Sequence, residues 1–498
     1  MANYNLVILC LCVLTGGIIA TKDNPGAIIT IEKEGLEFLK NVSLSLLAKK
    51  LQGKSLPNIN GATSSNPSDP NAPDVRYFLT NVKMIEFIVD PSNAVLTNVP
   101  EHGVKFAASH ITAIVQANYH VQLGWFPIGL DGTVTANTVD IALDATLDIY
   151  EMQQHVQIRD DDFHLSVGSL ALTFSNSFLG PLLNLVQSSF IGDIRAAIQN
   201  TTADTAKVLI DGPLDNFLAT KVPVEFEIGK GFGANLGLLR SPEVTDNSVE
   251  IQLKAEIFHN NSRSEVVARP APKLQEDPNK MVTLEITEYP LRTAIDSAYE
   301  SGLLRVALTR SEVEATAPGY GQYFNTTCAF ICIGTLIAPI GKKYPNTSVD
   351  MTFWASRRPT PVLDKEGAHL YLAGGMTLSL PSDGESSGEE LVRVSVETRL
   401  HLKDLALETD NPQHPLLKMQ MHTTNSTLQL LKTSIPDITE KSLQSLWNFG
   451  ISLGLEGLFN QKAKVGFKLP TIPYVYLFET TMETMDNAFV LKTNFVPQ

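Results

Sequence analysis

Four stretches carry residue types that could do chemistry. "RDDDFH" (159–164) sets three adjacent carboxylates beside an imidazole, donors that suit a hard cation. Such an ion needs ligands that converge, and successive residues of an extended chain diverge, so the stretch reads as a solvated turn. Asp140, Asp144 and Asp148 share one face of an alternating run but are too spread along it for one ion. "GKGFG" (229–233) has the glycines of a phosphate cradle without the Lys-Ser/Thr ending that completes one. Cys328 and Cys332 in "NTTCAFICIG" have no histidine nearby, which argues against metal. Their spacing is poor for a disulfide if the stretch is helical, and the spacing leaves them bonded or free. The ten histidines form no metal-spaced cluster. His369 and His401, in strand-like runs, read as satisfied sheet residues. There is no His-Glu-x-x-His, no Gly-x-Ser-x-Gly and no Walker loop. The expectation is a protein without catalytic residues, resident metal or cofactor. A secreted lipase, the enzymatic alternative, would need a nucleophile motif that is absent.

The elements behind these residues are amphipathic. "GLEFLKNVSLSLLAKKL" places Leu36, Leu39, Val42, Leu46 and Leu47 at helical spacing. A meander of alternating strands follows, "VKMIEFIVD", "GVKFAASHITAIVQANYHVQL" and "GTVTANTVDIALDATLDIY". In the last, Val139, Ile141, Leu143, Ala145, Leu147 and Ile149 are expected on one face. A second helix, 178–198, gathers Leu182, Val186, Phe190, Ile194 and Ile198 on one side. The plan then repeats. A helix over 291–308 contains Leu303 and Leu304. An apolar, helical segment follows at "CAFICIGTLIAPIGKKYP". Strands come next, and a long amphipathic helix over 443–459 holds Leu446 and Leu453. An offset near 264 residues superposes the turns at Glu101-His102-Gly103 and Glu366-Gly367. This is a duplication rather than a short-period repeat. Between the halves, 259–280 is polar and Pro-rich and reads as a linker. The strands beside it, "SVEIQLKAEIF" and "KMVTLEITEY", are expected to pair and join the halves.

Composition bounds the setting. The chain has 498 residues, 43% of them hydrophobic and 18% charged, enough for a sizeable core. Net charge is −15, and residues 21–268 hold 17 Lys and Arg against 28 Asp and Glu. That argues against nucleic acid and against broad attraction to anionic membranes. Residues 1–20 read as a signal peptide, too short in their apolar run to span a bilayer. Six Asn-x-Ser/Thr sites, at Asn41, Asn200, Asn260, Asn325, Asn346 and Asn425, fit a secreted, extracellular glycoprotein.

Several stretches resemble one known family. "NPGAIITIEKEGLEFL" and "LPNINGA" resemble its first half; "PIGKKYPNTSVDMTFWAS", "EGAHLYL" and "GFKLPTIPYVYLFE" resemble its second. The family is that of bactericidal/permeability-increasing protein and lipopolysaccharide-binding protein. The resemblance covers nearly the whole chain after residue 20, in order.

What it implies is an α+β boomerang. Two elongated antiparallel barrels, 21–258 and 281–498 around the 259–280 linker, each wrap on a long helix and share a central sheet. Each barrel would hold a phospholipid-like lipid in an apolar pocket. The first pocket would be lined by Leu36, Leu39, Val42, Leu46, Leu182, Val186, Phe190 and Ile194. The second would be lined by Leu303, Leu304, Leu446 and Leu453. Lipid transfer is a possible use; innate-immune binding of lipopolysaccharide and bacterial membranes is the alternative. Two departures matter. The family's N-terminal barrel carries a disulfide, and the matching regions, near Arg159 and 202–206, have no cysteine. Its lipopolysaccharide binders carry a cationic tip, whereas "NYHVQLGWFPIGLDG" has no Lys or Arg to pair lipid A phosphates. Trp125 and Phe126 at that tip suit shallow insertion at a lipid interface instead.

Overall fold

The computed structural model describes residues 24–498 apart from 67, 70, 125–128, 176–179, 210–223, 230, 261, 276, 317, 382–387, 410, 412–414, 451–455, 457–458, 469–474 and 498. The expected signal peptide, with Trp125, Phe126 and Leu453, therefore lies outside the described residues, as does the side chain of Leu182.

The first half opens with β1 (Ala27–Glu32) and α1 (Lys33–Leu51). Then come β2 (Ile59–Ser64), β3 (Asp74–Ile88), β4 (Ala94–Val99), β5 (Gly103–Leu123), β6 (Gly129–Met152), β7 (His155–Ser166) and β8 (Ser169–Phe174). After α2 (Gly180–Leu209) lie β9 (Glu225–Gly229), β10 (Phe232–Asn235), β11 (Glu243–Val244), β12 (Ser248–Leu253) and β13 (Glu256–His259). The second half runs β14 (Val282–Thr287), α3 (Tyr289–Glu300), β15 (Arg305–Leu308), α4 (Arg310–Thr316), α5 (Ile333–Leu336) and α6 (Ala338–Lys343). It continues with β16 (Asp350–Ala355), β17 (Thr360–Asp364), β18 (Gly367–Ser379), β19 (Glu390–Glu408), β20 (Leu416–Thr433), α7 (Glu440–Gly450), α8 (Phe459–Val465), β21 (Phe467–Lys468), β22 (Val475–Met485) and β23 (Ala488–Pro497).

Two antiparallel meanders repeat one plan. In the first, β3, β5 and β6 are neighbours and β4 pairs with β5; in the second, β16, β18 and β19 are neighbours and β17 pairs with β18. The two small Gly turns predicted to superpose are the β4–β5 and β17–β18 turns. Each meander closes over its own apolar cluster, one around Phe190 and Ile111, the other around Ile337 and Val394.

The halves meet in a sheet ordered β11-β12-β1-β14-β23-β22. The predicted direct pairing of the strands flanking the linker is corrected here. β12 and β14 each pair with β1, which lies between them, and β13 leaves for a separate sheet with β10 and β9. The reason is in the side chains: β1, "AIITI", is apolar but for the half-buried Thr30 and has buried residues on both faces, and such a strand belongs in the middle of a sheet.

The alternation of β6 also breaks where the sequence reading carried it through. Val139 is 46% exposed, while Thr138 and Ile141 are buried. Asp140 has φ +59°, opposite His110 at +54°, and the ladder to β5 shifts register there. This bulge flips the facing of every residue N-terminal to it. Thr138 enters the core because its hydroxyl donates to the Ala113 carbonyl at 2.8 Å and accepts the Ala113 N–H at 2.9 Å.

Candidate functional site

In the first half α1 and α2 pack on one another and against the curled sheet. α1 buries Leu36, Lys40, Leu44, Leu47 and Leu51. Leu44, Leu47 and Leu51 belong to the barrel core, whereas Leu36 packs with the central sheet, with Leu39 partly buried beside it. One helix thus ties the barrel to the sheet. Val42 is half-buried and Leu46 is 51% exposed, so this stripe sits about a third of a turn from the packed face. The expectation that Leu46 shares the face of Leu47 is corrected. The buried face contains a lysine, which hides it from an apolar-periodicity reading. Lys40 is tolerated there because its ammonium donates to the Ala94 carbonyl at 2.9 Å and pairs with Glu37.

α2 buries the predicted face from Val186 on. Val186, Phe190, Ile194 and Ile198 are at most 1% exposed. Phe190 meets Tyr77 edge-on at 5.0 Å and Phe174 at 6.0 Å between ring centroids. Tyr77 donates its hydroxyl hydrogen to Asp193 at 2.5 Å, locking β3 to α2. Burial first, and then the Asp193 carboxylate, push that hydroxyl up to about 12. Polar ties also hold α2 to the strands. Gln199 Nε2 donates to the Leu165 carbonyl at 3.0 Å, and Arg195 Nη2 donates to that of Gly168 at 3.1 Å.

In the second half Leu443 and Leu446 of α7 are buried with Ile333, Ile337 and Ile340. Trp447 faces Phe353 at 6.3 Å, and its indole nitrogen is buried without a partner. The helix expected over 291–308 is shorter: α3 stops at Glu300, and Leu303 and Leu304 leave it. Gly302, at φ +70°, donates to the Tyr299 carbonyl, and Leu303 N–H reaches back to Ala298 at 2.9 Å. This is the two-bond C-terminal motif that a left-handed glycine makes cheap. Leu303 is consequently 44% exposed and Leu304 half-buried ahead of β15.

Cys328 and Cys332 are bonded, with Cα atoms 6.2 Å apart. The helix expected there begins only at Ile333, so the intervening residues are free to form the bridge. The closed loop carries Phe330 outward at 89% exposure. Replacing both cysteines by serine is expected to cost about 2 kcal/mol, the loop-closure value for so short a ring, read as a lowered urea midpoint.

Other sequence features resolve into structure. "RDDDFH" lies within β7 rather than a turn, with Arg159 on Asp148 at 2.7 Å and His164 on Asp162 at 2.9 Å. Of "GKGFG", Gly229 ends β9 and Phe232 opens β10 as its ladder partner, so a strand rather than a phosphate-binding helix follows. The tip of the β5–β6 hairpin is flanked by a His120–Asp131 pair at 2.7 Å. Asn41, Asn200, Asn260, Asn346 and Asn425 are exposed; Asn325 is half-buried, with its side-chain oxygen enclosed. No helix among the described residues is long and apolar enough to cross a membrane.

The comparisons with known proteins agree with this architecture. Human lipopolysaccharide-binding protein is 24% identical over 481 residues, covering 95% of this chain and 93% of its own length. The bactericidal permeability-increasing protein of Sebastes schlegelii is 20% identical over 478 residues, covering 95% of both. A crystal structure of lipopolysaccharide binding protein superposes with a TM-score of 0.57 at 19% identity, covering 95% of this chain and 99% of that one. Its likeness establishes the two-barrel α+β fold. Residues 227–496, more than half the chain, match the model of the LBP / BPI / CETP family C-terminal domain, and the chain belongs to that family.

Proposed function

We propose that this is a secreted lipid-binding protein that holds a phospholipid-like amphiphile in each barrel and can hand it to another surface. The observation that carries the reading is the repeated pairing of a curled sheet with an apolar helix face, Val186–Phe190–Ile194 in one half and Leu443–Leu446 in the other. Membership of a lipid-binding family supports it. So does the orphaned Trp447 indole N–H, a donor that an ester or phosphate oxygen could satisfy. Burying acyl carbons is favourable by about 0.8 kcal/mol per CH₂, so no catalytic group is needed. The ligand units are taken as 21–258 and 281–498, joined by 259–280. Mass spectrometry of lipid extracted from the secreted protein is the test. Near-stoichiometric phospholipid is expected, and a lipid-free extract would sink the proposal.

Lipopolysaccharide binding is the second reading, favoured by what the relatives are named for. The absence of Lys and Arg from the tip and the net charge of −15 weigh against phosphate recognition by the route a basic tip would offer. The tip is instead proposed as an apolar membrane contact through Trp125 and Phe126, with Phe330 offering a comparable contact on the second half. Trp125→Ala with Phe126→Ala is expected to weaken binding to neutral phosphatidylcholine vesicles by about tenfold with folding intact, which is about 1.4 kcal/mol. Unchanged vesicle affinity would refute the tip assignment.

A further inference from the structure

The β17–β18 turn leans on the neighbouring strand, and side chains that read in the sequence as unrelated meet there. His369 of β18 stands opposite His401 of β19, and His401 stands opposite His422 of β20. Residues opposite one another in a ladder share a face, so the three imidazoles form a row. The rings of His369 and His401 stack with centroids 4.1 Å apart. Glu366 comes in from the turn. One ligand atom from each of Glu366, His369 and His401 lies within 4.8 Å of the other two. This corrects the expectation that the histidines form no cluster. The sequence conceals it because 32 residues separate the two histidines, and only the strand register joins them.

Hydrogen bonds fix which nitrogens are free. His369 Nε2 is 2.9 Å from an Asp364 carboxylate oxygen, and His401 Nε2 is 3.1 Å from the Glu366 carbonyl oxygen. Both partners accept, so each Nε2 carries the proton and each Nδ1 keeps its lone pair. His369 is 2% exposed and its Nδ1 has no partner, contrary to the reading of a satisfied sheet residue. Leaving a buried acceptor unpaired costs about 1–3 kcal/mol. A carboxylate behind an imidazole is the outer-shell support that metal-ligating histidines use. Asp364 also accepts the Glu366 N–H at 2.9 Å, which sets the turn that aims Glu366. Gly367 makes the approach possible: at φ +133°, a Cβ there would lie 2.1 Å from the Leu402 carbonyl oxygen. Arg399 stands two residues before His401 on the same face, stacked on Tyr371 at 4.9 Å, and its charge opposes a cation. The affinity should therefore fall below that of a closed structural site.

We propose that Glu366, His369 and His401 form a binding site for a divalent transition-metal ion, with two imidazoles and one carboxylate selecting Zn²⁺ and a fourth position left to solvent. The site would clamp the turn at a junction. Thr484 Oγ1 donates to the Lys365 carbonyl at 3.3 Å, and Asn487 N–H donates to that of Leu363 at 3.0 Å, so the same turn abuts the β22–β23 hairpin of the central sheet.

The test is equilibrium dialysis of the full, untagged chain against Zn²⁺ alone, with metal counted per chain. Glu366→Gln and His401→Gln serve as variants. Glu366 is exposed, so its variant keeps the fold and decides the matter if His401→Gln does not fold. One Zn²⁺ per chain is expected in the wild type, with affinity lowered about tenfold or more in each folded variant. A wild type that retains no zinc, or a Glu366→Gln protein that binds as the wild type does, overturns the site.

Discussion

Glu285→Gln is expected to stabilise the protein at pH 8 and to change little at pH 5. Glu285 lies on β14, 3% exposed, with one carboxylate oxygen lacking any partner. Burial, and then the nearby charge of Glu250, push its carboxyl up to about 7. The sign follows from proton uptake. The folded state binds this proton more tightly than the unfolded chain, whose glutamate titrates near 4.5. Stability from this group is therefore full below 4.5, is lost as pH rises toward 7, and stays lost above it. Gln keeps the shape and removes the charge, so the gain at pH 8 should be on the order of 1–3 kcal/mol. Urea unfolding of both proteins from pH 5 to 8 measures it. Parallel stability curves would show that Glu285 is ionised in the fold at no cost. The polar face of this sheet is thus a liability at neutral pH, tolerable because β1 and its neighbours bury a continuous apolar face on the other side.

What was legible in the sequence was whatever a single period could carry. The α2 face from Val186 on was legible because Val186, Phe190, Ile194 and Ile198 recur every four residues. α1 misled because two stripes are apolar enough, and the packed one includes Lys40, acceptable only through Glu37 and the Ala94 carbonyl. Val139 was misplaced by a bulge, which period-2 reasoning cannot see until the register is known. Leu303 and Leu304 were carried along a helix that Gly302 ends, and that signal was present in the sequence. Cys328 and Cys332 turned on whether 328–332 was helical, which spacing does not decide. His369 and His401 needed three-dimensional register altogether. The duplication was readable from two small turns, and its strand pairing repeats in both halves. Identity of 19–24% with named relatives goes with that shared plan.

Phe190→Ala should be the most damaging single change in the first barrel, and it also distinguishes a solid core from a lipid-lined one. Phe190 is fully buried, and its ring is met by Tyr77 and Phe174. Truncation of such a ring costs about 3–5 kcal/mol, part of it the cavity left behind. If the cavity is enclosed by protein alone, the loss is the same whatever lipid is present. If an acyl chain lies along this face of α2, lipid can extend into the new space. Each CH₂ it buries then returns about 0.8 kcal/mol, and binding to the native state adds stability by mass action. Urea unfolding of delipidated wild type and variant, with and without a saturating short-chain phosphatidylcholine, separates the two. The expected result is a loss of about 3–5 kcal/mol without lipid and a smaller loss with it. An identical loss under both conditions would mean that Phe190 belongs to a closed core and that any ligand of the first barrel lies on another face, for which the half-exposed stripe of Val42 and Leu46 on α1 is an apolar candidate.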